Sequence, residues 1–78
     1  MSNKKTVEHE VESLSDADLR SALTEAEQWR EKGILEKGWI REVSSDRLAQ
    51  VYPLPVASLQ SMVSQEVYRQ AALRWANQ

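Results

Sequence analysis

The chain has 78 residues, with ten Lys and Arg against twelve Asp and Glu and a net charge of −2. A domain of this size buries only about 60–65% of its unfolded surface, so its core is thin, and the slight acidity argues against binding driven mainly by phosphate neutralisation. Hydrophobic residues at 41% and charged residues at 28% suit a soluble folded domain, and the lack of Cys excludes disulfide scaffolds, thiol catalysis and cysteine zinc sites.

Residues 1–13 read as a flexible N-terminal tail, and 14–78 as a single helical domain. Met1–Thr6 precedes no apolar run, so neither a signal peptide nor a membrane span is expected, and a cytoplasmic location follows. The run Val7-Glu-His-Glu-Val-Glu12 suits a strand, a frayed turn or disorder equally.

The next element is written in local cues. Ser15 is placed to cap a helix whose third residue is Asp18, and Leu14 and Leu19 have the spacing of a hydrophobic staple. Leu19, Ala22, Leu23, Ala26 and Trp29 recur at helical spacing, and Lys32-Gly33 is a stop signal beyond which Ile34 can close over Trp29. A helix over 15–32 is predicted. Between Ile34 and Val43 two readings stand: a short β-hairpin turning at Glu36-Lys37-Gly38, or a helical turn interrupted by glycine. Ser44-Ser-Asp46 then offers a cap for a short helix over 45–52, since Pro53 disfavours helical geometry at Tyr52. A third helix over 55–76 carries Leu59, Val63, Val67, Ala71 and Trp75 at intervals of four. The fold class expected is mostly α: a small three-helix domain. Its first and third helices pack through Leu19, Leu23, Ala26 and Trp29 against Leu59, Val63 and Val67, and Leu48 and Val51 plug one end.

Chemistry finds few footholds. His9, the sole histidine, lies among Glu8, Glu10 and Glu12, a solvated acidic run rather than a metal cage. There is no Gly-x-Ser-x-Gly elbow, and two glycines cannot form a phosphate cradle. No enzyme, cofactor, metal or catalytic residue is expected.

Residues 46–64 resemble a helix-turn-helix: Leu48 and Ala49 in the first helix, Leu54 after the turn, Leu59 and Met62 in the second. The resemblance implies DNA binding, with Ala57, Gln60, Ser61 and Ser64 facing bases and Arg47, Arg69 and Arg74 on phosphates. Pro53 stands where that family carries a glycine of positive φ, so the turn must differ, and no Lys or Arg lies between Pro55 and Gln65.

The favoured expectation is a small non-enzymatic regulatory protein that inhibits or adapts a protein partner. Three Trp and two Tyr in a chain without Phe exceed what one thin core needs, and such rings gather at interfaces. Trp39, Tyr68, Leu73, Arg74 and Trp75 are the expected contact residues, for another protein or for a second copy in a homodimer through the third helix. Helix-turn-helix DNA binding is the alternative, and no membrane partner is expected.

Overall fold

The computed structural model describes residues 6–76, which are helical with no strand among them. Helix α1 spans Thr6–Glu12, α2 Asp16–Lys32 and α4 Val56–Trp75. Between them α3 occupies residues 39–51 as a composite: α-helical over Trp39–Val43, π-helical over Ser44–Leu48 and α-helical again over Ala49–Val51.

α2 forms as its local cues predict. Ser15 Oγ accepts the Asp18 N–H at 3.1 Å. At the other end Gly33, at φ 86°, donates its N–H to the Trp29 carbonyl at 2.8 Å, a left-handed ending that glycine adopts without steric cost. Ile34, expected to close over Trp29, remains 43% exposed.

The hairpin reading of 34–43 is overturned. Gly38, at φ 103°, leads the chain into α3, whose first N–H groups find a cap 14–15 residues upstream: Glu25 Oε2 accepts from Trp39 at 3.1 Å and Oε1 from Ile40 at 2.8 Å. A helix start leaves such donors orphaned, and a carboxylate there also complements the helix dipole. Supplied by α2, this cap starts the helix at Trp39 rather than at 45, and Ser44 becomes an interior residue with no exposure. Pro53 does end the element as predicted, with Tyr52 extended at φ −110°, ψ 130°.

A second clasp fixes the connection between α2 and α3. Buried Gln60 on α4 accepts the Leu35 N–H at 2.7 Å and donates to the Leu35 carbonyl at 2.9 Å. It pairs with that backbone as a neighbouring strand would.

α4 is the axle, since α1, α2 and α3 all pack on it. The core joins Leu19, Ala22 and Ala26 to Leu59, Val63 and Val67, as predicted for the two long helices, with Leu23 and Trp29 partly buried at its border. Ile40, Val43 and Leu48 complete it from α3. Val51, expected beside Leu48 in the plug, lies in the last turn of α3 and is 38% exposed. The expected tail is likewise, from Thr6, a helix whose Val7 and Val11 are buried in the core; residues 1–5 lie outside the described residues. The whole is a slab, 37 × 34 × 15 Å between Cα extremes.

Candidate docking surface

Most of the side chains expected to meet a partner are held by the fold itself. Trp39 is half-buried against the core and lines a recess of about 220 Å³ with Leu14, Ala22 and Glu25. The Tyr68 ring lies under the Arg30 guanidinium at 5.5 Å, and Trp75 under Arg20 at 4.5 Å, both within cation–π range. Arg74 donates from Nη1 to Asp16 Oδ1 and from Nη2 to the Glu12 carbonyl, each at 3.0 Å. Trp75 and Arg74 thereby tie the end of α4 to the starts and ends of its neighbours. Leu73 is 58% exposed, while Trp39, Tyr68, Arg74 and Trp75 are half-buried. The aromatic surplus reads as outward in the sequence because the arginines of α2 that cover Tyr68 and Trp75 lie 38 and 55 residues away.

The helix-turn-helix residues fare as follows. Ala57 is exposed; Ser61 is half-buried and accepts from Gln65 Nε2 at 3.0 Å; Arg47 grips Glu10 through Nε and Nη2 at 2.8 and 2.9 Å. Gln60 and Ser64 have no exposed surface. Two of the three polar readers thus face the core, because the arc of α4 covered by the other helices takes in positions 60 and 64, while the exposed side runs through Ala57, Ser58, Gln65, Arg69 and Ala72. The connection also departs from that family: Leu54 N–H bonds to the Tyr52 carbonyl at 2.9 Å across Pro53, a three-residue turn.

Ionisable groups are arranged for structure. Glu66 grips Arg69 by side-chain hydrogen bonds and by its charge, raising the guanidinium pKa above its ordinary value. Among the described residues no group of three or more His, Asp or Glu could hold a metal ion, and no helix is long and apolar enough to cross a membrane.

A different surface emerges from the exposed apolar residues. α2 and α4 run antiparallel, with Asp16 meeting Arg74 at one end and Leu35 meeting Gln60 at the other. Among the described residues the exposed large apolar side chains are Ile34, Val51, Leu54 and Leu73. The first three lie in or beside the two connections at the end where α4 begins, together with exposed Pro53 and Pro55. The Gln60 clasp and the fixed φ of two prolines hold these connections in place. Exposed Lys32, Glu36 and Lys37 flank Ile34, beside a groove of about 440 Å³. Apolar centres with charged rims are the anatomy of protein interfaces. In the sequence these aliphatic residues are overshadowed by the more conspicuous Trp and Tyr. The signal available was the run Tyr-Pro-Leu-Pro-Val, apolar yet barred by its prolines from the interior of a helix.

The chain matches no protein-family model, no curated protein and no solved structure closely enough for a fold or an activity to be carried over.

Proposed function

We propose that the chain is a small non-enzymatic regulatory protein that binds another protein and inhibits or adapts it, using the end of the slab where α4 begins. The observation that carries this reading is that Ile34, Val51 and Leu54, three of the four large apolar side chains exposed among the described residues, fall in or beside the two connections at that end. Loops fixed on a rigid scaffold are where proteins place recognition, and rigid loops lose little entropy on binding. A second copy docking along α4 would find Leu73 as its one large exposed apolar contact on that helix.

The test is affinity capture from the source cells, with nuclease treatment, followed by reconstitution with the purified partner. Wild type and Leu73→Asp should retain the partner after nuclease, while Ile34→Asp/Leu54→Asp loses it by at least about tenfold, the scale of a hot spot. Both substitutions fall on exposed sites, where folding changes little. A signal that vanishes with nuclease supports DNA binding instead. Equal retention by all three chains removes the docking surface from consideration.

A further inference from the structure

α1 is seven residues long, below the roughly 12–15 residues an isolated helix needs, so its shape depends on the groove in which it lies. Only Val7 and Val11 enter the core from it. Its remaining attachments are polar and lie at the rim. Arg47 holds the Glu10 carboxylate through two bonds of 2.8 and 2.9 Å, and Arg69 Nη2 stands 3.8 Å from Glu8 Oε2. Gln70 Nε2 donates to Glu12 Oε2 at 3.4 Å and Arg74 Nη2 to the Glu12 carbonyl at 3.0 Å. Of the four basic residues in 39–78, three therefore face α1. Arg47 is 59% and Arg69 48% exposed, so these pairs are wetted and screened by salt.

We propose that the seat of α1 is a receptor groove for an acidic amphipathic helix of another protein, and that α1 occupies it as a built-in competitor. The chemistry demanded is legible in the present occupant. Two β-branched side chains four residues apart fill the floor, carboxylates one and three residues after the first valine meet Arg69 and Arg47, and the one five residues after it meets Gln70. Beside Val7 an open space of about 500 Å³, bordered by Tyr52, Met62 and Arg69, gives an incoming apolar side chain a first hold. α2 does not need α1 in order to persist, because Ser15 caps it with its own hydroxyl. The residues that hold α1 do not include Ile34, Val51 or Leu54, and Tyr52 alone adjoins that connection, so this proposal stands or falls independently of that docking reading.

The probe is a fluorescein-labelled peptide with the sequence of residues 6–15, titrated into the full chain and followed by anisotropy. Apparent affinity scales with the fraction of molecules whose seat is vacant. Glu10→Gln, which loosens α1 and leaves Arg47 intact, should tighten peptide binding about threefold; Val11→Asp, which evicts α1, should tighten it more than tenfold. Adding Arg47→Gln to either variant should reverse much of the gain, and Ile34→Asp/Leu54→Asp should change nothing. A scrambled peptide of equal charge should not bind. Hydrogen exchange on the unaltered chain gives a second reading: amides of residues 7–12 should exchange at least tenfold faster than those of 63–67, and faster again in high salt. Peptide affinity indifferent to Glu10→Gln and Val11→Asp, binding of the scrambled peptide, or uniform exchange overturns the proposal.

Discussion

Gln60 offers the sharpest test of how this fold is held. Its amide satisfies both backbone groups of Leu35 in a site where Gln60 has no exposure and Leu35 has 4%. Removing the amide leaves a buried N–H and a buried C=O without partners, and each such orphan costs about 1–3 kcal/mol. Gln60→Met keeps the length and much of the volume, so its expected cost of about 2–4 kcal/mol isolates the hydrogen bonds; Gln60→Ala adds a cavity and should reach about 4–5 kcal/mol. A domain of this length has a total stability of only about 4–12 kcal/mol, and each kcal/mol lowers Tm by about 4–8 °C. Gln60→Met should therefore melt at least about 10 °C below the wild type. Urea unfolding followed by circular dichroism at 222 nm measures the cost, with an unchanged m-value showing that the unfolded state is not the cause. If Gln60→Met stays within 1 kcal/mol of the wild type, the connection does not depend on this clasp and the reasoning fails.

Two further substitutions follow from the same physics. Gly33 and Gly38 both have positive φ, but a Cβ on Gly33 meets open space whereas one on Gly38 comes within 2.8 Å of the Glu25 carboxylate that caps α3. Gly33→Ala should cost about 1 kcal/mol and Gly38→Ala about 2–4 kcal/mol, from backbone strain plus a disturbed cap; the same urea series reads both, and the reverse order would contradict the cap. Ser64 has a buried hydroxyl with no hydrogen-bond partner. Ser64→Ala should be neutral or stabilising by up to about 1 kcal/mol, and a calorimetric loss above 1 kcal/mol would reveal a partner the geometry does not contain.

What could be read from the sequence tracks how far each determinant lies from the residue it determines. α2 was legible because Ser15, Asp18 and Gly33 act within a turn of its ends, and most of α4 because its apolar positions repeat without a breaker. The start of α3 is hidden from the sequence because the cap comes from Glu25, while Ser44-Ser45-Asp46 imitates a cap in the middle of the helix. α1 reads as a tail because Val7 and Val11, four apart, alternate with charges in a pattern that also fits a strand. Its shape is decided by arginines 37 to 62 positions downstream. Gln60 and Ser64 read as outward because their polarity suggests water, yet three helices cover α4 over an arc wide enough to include both positions.

That packing has a consequence for biosynthesis. α4, on which α1, α2 and α3 all pack, follows them in chain order, and the bonds from Arg74 to Asp16 and to the Glu12 carbonyl span 58 and 62 residues. A nascent chain leaving the ribosome N-terminus first cannot settle its valines and leucines until α4 has cleared the exit tunnel. At about 5–20 residues per second that delay is on the order of several seconds. Throughout it, the apolar faces of the earlier helices are available to chaperones, and to neighbouring chains on the same polysome.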